Sequence, residues 1–119
     1  MKSILIIEDD VSIRFSLQEV LEAEGHRVVL AENGQVGLDF LLSGSKCEIV
    51  LLDLSMPVMD GHTFLIKFRE NFPGNGLPII VMTAAGTSVI PKDHPQNLVL
   101  RKPMDIDKLM MVVEESLSR

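Results

Sequence analysis

The chain has 119 residues, of which 46% are apolar and 24% charged, a balance that suits one globular domain with a single core and excludes a disordered composition. Its formal net charge is -6, from 11 Lys and Arg against 17 Asp and Glu, and no basic cluster offers a footprint for nucleic acid. A lone cysteine excludes an internal disulfide, no apolar run is long enough to cross a bilayer, and the first apolar stretch meets three acids without a signal-cleavage site. A soluble cytosolic domain without membrane contact is expected.

Ile4-Leu5-Ile6-Ile7 is aliphatic without alternation, as in a strand buried on both faces of a parallel sheet, and it ends in Glu8-Asp9-Asp10. A helical pattern follows through Ile13, Leu17, Val20 and Leu21, started by Asp10 and stopped at Gly25. Arg27 to Ala31 is the second strand, Asn33-Gly34 a turn and cap, and a shorter helix runs through Val36, Phe40 and Leu41 to near Gly44. Cys47 is expected to act as a small apolar residue entering the third strand, Ile49 to Asp53. The next helix starts near Gly61, buries Phe64, Leu65 and Phe68, and breaks at Pro73-Gly74. Pro78 to Thr83 is the fourth strand and Leu98 to Arg101 the fifth. Asp105 caps a last helix with Ile106, Leu109, Met110, Val113 and Leu117 on one face.

Five strands alternating with helices imply a doubly wound α/β domain spanning residues 1–119. Right-handed crossovers leave few arrangements, and the flavodoxin-like order 2-1-3-4-5 is expected. Between the fourth and fifth strands, Gly86, Pro91 and Pro95 disfavour a regular helix, so the helix there is expected to be shortened or missing.

In that order the switch point lies between the first and third strands, and Glu8, Asp9 and Asp53 converge in one crevice. Taken singly, Asp53 could cap a turn, Thr83 could be a plain strand residue and Lys102 a solvated one. Together they sit at four strand ends on one edge. Three close carboxylates must take up protons or hold a cation, and an all-oxygen set suits Mg²⁺ better than Zn²⁺. With the Thr83 hydroxyl and Lys102 beside them, the crevice suits a phosphoryl group, which a carboxylate can accept as an acyl phosphate.

These residues resemble those of the receiver domains of bacterial two-component response regulators, over essentially the whole chain. The resemblance rests on Glu8-Asp9, on Asp53-Leu54-Ser55-Met56-Pro57-Val58-Met59-Asp60-Gly61, on Thr83-Ala84 and on Lys102-Pro103. It implies that Asp53 is the phosphoacceptor and that Mg²⁺ is bound by Asp9, Asp53 and the Ser55 backbone carbonyl, with Glu8 acting through water. Thr83 and Lys102 would contact phosphoryl oxygens, and the Lys102-Pro103 bond could be cis, as in similar proteins. The implied partners are a sensor histidine kinase or phosphotransfer protein and a downstream effector protein, with the chain itself monomeric. It would catalyse only its own phosphorylation and dephosphorylation, rather than act as an enzyme on an outside substrate. Ala85, two positions after Thr83, would modulate the lifetime of the phosphoryl group. Val99 stands three positions before Lys102, where similar proteins commonly carry an aromatic switch, and a stiff β-branched side chain has no ring to swing.

His26, His62 and His94 lie away from the acids in sequence and are expected to be neither catalytic nor metal ligands. A Mg²⁺-dependent phosphohydrolase is the enzyme alternative, but the second Asp that such families place two residues after the nucleophile is Ser55 here. No G-x-x-x-x-G-K-[ST] loop supports nucleotide binding. A receiver fold used only for docking would not need the full set of acids, Thr and Lys.

Overall fold

Strands that are aliphatic at every position must be covered on both faces, and helices with one apolar stripe supply the cover. The computed structural model describes residues 2–54, 61–74, 76–83, 94–95, 98–102 and 105–118. Its elements are β1 (Ser3–Ile7), α1 (Val11–Ala23), β2 (Arg27–Ala31), α2 (Gly34–Leu42), β3 (Ile49–Asp53), α3 (Gly61–Asn71), β4 (Ile79–Thr83), β5 (Val99–Arg101) and α4 (Ile106–Leu117). All strand pairs are parallel and the order is β2-β1-β3-β4-β5, the expected doubly wound topology. Four helices stand among the described residues. Residues 84–93 and 96–97, on which the expectation of a shortened or missing helix falls, lie outside them, as do Ser55, Ala85 and Pro103.

Alternate residues of each inner strand feed two separate cores. Ile4, Ile6, Ile49, Leu51, Ile80 and Met82 face α1 and α4, meeting Leu17, Leu21, Leu109 and Val113. Leu5, Ile7, Val50, Leu52, Ile79 and Val81 face α2 and α3, meeting Leu38, Leu41, Phe64, Leu65 and Phe68. Each such side chain removed from water contributes roughly 1.5–3 kcal/mol, so these cores fix the register of the sheet. Cys47 is half-buried against the second core, as expected of a small apolar residue.

Local signals set the ends of the helices. Asp10 caps α1 by accepting from the Ile13 N–H at 3.0 Å, Asn33 caps α2 through the Val36 N–H, and Asp105 caps α4. Gly25 and Gly44 follow α1 and α2 with φ of 89°, the left-handed conformation that ends a helix cleanly. Two details differ from the sequence pattern. Val36 and Ile106, assigned to buried faces, are exposed, because each lies in the first turn of its helix beyond the edge of the core. In α2 the inward positions are instead Gly34, Gly37, Leu38 and Leu41. A Cβ on Gly37 would lie 2.5 Å from Ile7 Cδ1, so a larger residue there would have to displace the buried Ile7 side chain. No helix among the described residues is long and apolar enough to cross a membrane.

Phe64 is fully buried and stacks on Phe68 with centroids 6.1 Å apart. Phe64→Ala is expected to cost about 3–5 kcal/mol, read as a lower urea midpoint with little change in slope.

Candidate functional site

The register of the sheet delivers the site. Ile7 pairs with Leu52, so the residues that follow, Glu8 and Asp53, reach the carboxyl edge level with one another on adjacent strands. Asp53 pairs with Met82, which puts Thr83 one step further along β4, opposite Arg101. The Lys102 N–H then donates to the Thr83 carbonyl at 2.7 Å, which ties the residue after β5 to the end of β4. Glu8, Asp53 and Thr83 are all buried there, while Asp9 is exposed.

Glu8, Asp9 and Asp53 each present a carboxylate oxygen within 4.8 Å of the others. At that separation, with an effective dielectric near 20, each pair of full charges repels by roughly 3–4 kcal/mol. Lys102 offsets part of this, with its Nζ 3.1 Å from Glu8 Oε1 and 3.5 Å from Asp53 Oδ1. The Asp10 N–H donates to Glu8 Oε2 at 3.3 Å. Burial, followed by the hydrogen bond and charge of Asp53, pushes the Glu8 carboxyl up to about 7, against the opposing pull of Lys102 and the Asp10 N–H. For Lys102, burial acts to lower its affinity for a proton. The Glu8 hydrogen bond and the two carboxylate charges outweigh that, and the ammonium is held above its ordinary value.

The donor set is three carboxylates without thiolate or imidazole, the hard-oxygen chemistry that fits Mg²⁺. The histidines lie elsewhere. His26 Nε2 sits 2.9 Å from Glu114 Oε1, His94 Nε2 is 3.3 Å from the Leu98 carbonyl, and His62 belongs to the first turn of α3. Val99, at the start of β5, is half-buried against the core under α2 and α3.

Two residues of the site carry roles that sequence patterns did not single out. Gly61 looked like a turn residue, yet its N–H donates to the Leu54 carbonyl at 3.0 Å, and a Cβ there would lie 2.6 Å from Leu54 Cα and 2.8 Å from the Asp53 carbonyl. Arg14 reaches back from α1, its Nη1 donating to the Glu8 carbonyl at 2.9 Å. Only the Asp53-to-Gly61 motif hinted at the first, and an arginine on a helix gives no local sign of the second.

A doubly wound parallel sheet is the architecture of an α/β domain whose ligand crevice lies at the switch point, and here the acids gather there. Residues 4–114 match the response regulator receiver domain, and the chain belongs to that family. It is 34% identical over 124 residues to the response regulator Rre1 of Synechocystis, an alignment covering 98% of this chain and 52% of that one. With the DNA-binding transcriptional regulator NtrC of Escherichia coli it shares 34% identity over 116 residues, covering 95% of this chain and 24% of NtrC. The chain thus spans from about a quarter to about half the length of these relatives. The Vibrio cholerae chemotaxis protein CheY4 has the same fold, with a TM-score of 0.83 at 24% identity over 98% of this chain and 99% of that structure.

Between pH 4.5 and about 7 the folded, Mg²⁺-free protein keeps a proton on Glu8 that the unfolded chain has released. Stability is therefore expected to fall as pH rises through that window and to level off above it. Glu8→Gln removes this contribution, so the variant's unfolding midpoint minus that of the wild type should rise from pH 4.5 to about 7; a difference that stays constant or falls would contradict the assignment. At Gly61 the contacts are with backbone, and Gly61→Ala is expected to cost about 1–3 kcal/mol in urea unfolding and to shift the amide resonance of Leu54.

Proposed function

We propose that the chain is a phosphoacceptor domain, with residues 1–119 forming one receiver, that takes a phosphoryl group onto Asp53 in a Mg²⁺-dependent reaction and alters its partner interactions in response. The observation that carries this is the meeting of Glu8, Asp9 and Asp53 within 4.8 Å, with the Lys102 ammonium 3.5 Å from Asp53, in a chain of the receiver family. Asp9 and Asp53 are the side chains proposed to hold Mg²⁺, with the Ser55 backbone carbonyl, while Glu8 acts through water. When bound, the ion neutralises charge on the phosphoryl oxygens and on the attacking carboxylate.

Asp53 supplies the nucleophile. One of its oxygens forms a bond to phosphorus as the bond from phosphorus to the donor's imidazole nitrogen breaks, and the electron pair leaves with the imidazole, which takes up a proton. Burial of Asp53 limits competing water and leaves its charge less shielded for attack. Lys102, held at the edge by Thr83, is close enough to meet a phosphoryl oxygen on Asp53, and the Thr83 hydroxyl is the donor proposed for another. Water attack on the same phosphorus returns the free carboxylate and phosphate, which makes the chain a catalyst of its own modification only. Ala85 is the proposed modulator of that lifetime.

The proposed donor is a sensor histidine kinase or a phosphotransfer protein. It must approach over the end of β3, beside the first turns of α1, where Val11 and Phe15 are exposed. The proposed output is an altered contact with an effector protein in the cytoplasm, by a monomeric receiver. Val99 replaces a swinging ring with a stiff side chain, so the proposed signal is read near Asp53, Thr83 and α1.

Incubation with acetyl phosphate and Mg²⁺, followed by intact-mass spectrometry, is expected to add one phosphoryl group per chain. Asp53→Asn and Asp9→Asn should each abolish the adduct while keeping the fold. An adduct that survives in Asp53→Asn, or that forms equally in EDTA, would defeat the proposal.

A further inference from the structure

The peptide unit between Glu8 and Asp9 is gripped by a side chain outside the set of acids, threonine and lysine. The Glu8 N–H still joins the sheet, donating to the Ala31 carbonyl at 3.0 Å, but β2 ends at Ala31 and the ladder goes no further. The donor that reaches the Glu8 carbonyl is Arg14 Nη1, at 2.9 Å across a partly buried contact. Arg14 is itself fixed in place. Its N–H bonds the Asp10 carbonyl at 2.9 Å within the capped first turn of α1, and its Cζ lies 5.7 Å from the centroid of the Phe15 ring, within cation–π range.

The three acids differ in what orients them. Glu8 is held through its carboxylate by Lys102 and the Asp10 N–H. Asp9 is exposed, and among the described residues its carboxylate makes no hydrogen bond. Its direction is therefore set through the main chain, by the Asp10 cap on one side and by the Glu8–Asp9 peptide on the other. A cation site needs its donors held to within about 0.5 Å. We propose that Arg14 is a positioning residue for the acid site: by fixing the plane of the Glu8–Asp9 peptide it turns the Asp9 carboxylate toward Asp53. This rests on the assignment of the three acids as a Mg²⁺ site.

Charge and position make opposite demands, which makes the role testable. Arg14→Met keeps most of the apolar stem but removes both donor and cation. By charge alone, loss of a cation close to three acids strengthens binding of a divalent ion. Loss of the grip on the peptide weakens it.

The experiment is a Mg²⁺ titration followed by the amide resonances of Asp9, Asp10 and Leu54, in the wild type and in Arg14→Met, Arg14→Lys and Phe15→Leu. Arg14→Met is expected to weaken Mg²⁺ about tenfold, the scale seen when a group orienting a ligand is lost. Its resonances away from the β1–α1 turn should stay in place. Arg14→Lys, with one donor able to reach the same carbonyl, should recover part of the loss, and Phe15→Leu should show a smaller loss. Mg²⁺ affinity of Arg14→Met equal to or tighter than wild type would overturn the role of Arg14, even if its unfolding midpoint fell. A wild-type protein with no Mg²⁺-dependent shifts at these amides would instead defeat the assignment of the metal site, and this inference with it.

Discussion

Glu8 and Asp53 are buried side by side at the ends of two adjacent strands, against a repulsion of a few kcal/mol when both are charged. The fold has to hold them there. β1 and β3 are central, paired on both edges and covered on both faces, so neither strand end can swing away without opening a core. The ammonium of Lys102 and a proton on Glu8 offset this repulsion, and the oxygen set also fits a divalent cation. The site is poised because none of these is a permanent neutraliser of all three charges.

The two cores have distinct duties toward that edge. The one under α1 and α4 anchors the helix that starts beside Asp9, through Leu17 and Leu21. The one under α2 and α3 anchors the helix whose first residue, Gly61, packs directly on the backbone of Asp53 and Leu54. Each acid-bearing strand end is therefore tied to a helix on its own face of the sheet. Arg14, through the Glu8 carbonyl, joins that edge to one layer, and Gly61 joins it to the other.

Membership of the receiver family agrees with this mechanical arrangement and does not explain it. The relatives reach beyond the length matched here, and the match covers nearly all of this chain. In this chain the switch point of the parallel sheet gathers the acids, and lysine and threonine are delivered from the strands on the other side of β3. Neither Val99 nor the Ile-Ile-Val-Met-Thr run of β4 brings an aromatic ring to the β4–β5 side of the site.

Much of this was legible in the sequence, because the signals were local and strong. Aliphatic runs without alternation mark strands covered on both faces, and Asp10, Asn33 and Asp105 mark helix starts by the chemistry of capping. The handedness of crossovers then leaves so few topologies that Glu8, Asp9, Asp53, Thr83 and Lys102 fall on one edge before any coordinate is known. Helix periodicity alone placed Val36 and Ile106 inside, but whether a first-turn position is covered depends on how far the neighbouring layer extends. Tertiary contact also decided that Gly37 packs on the Ile7 side chain, that Gly61 is needed for close approach to the Asp53–Leu54 backbone, and that Arg14 serves the Glu8 carbonyl rather than solvent. The atoms these residues meet lie elsewhere in the chain, on Ile7 for Gly37, on Leu54 and Asp53 for Gly61 and on Glu8 for Arg14, and only tertiary packing brings them within reach.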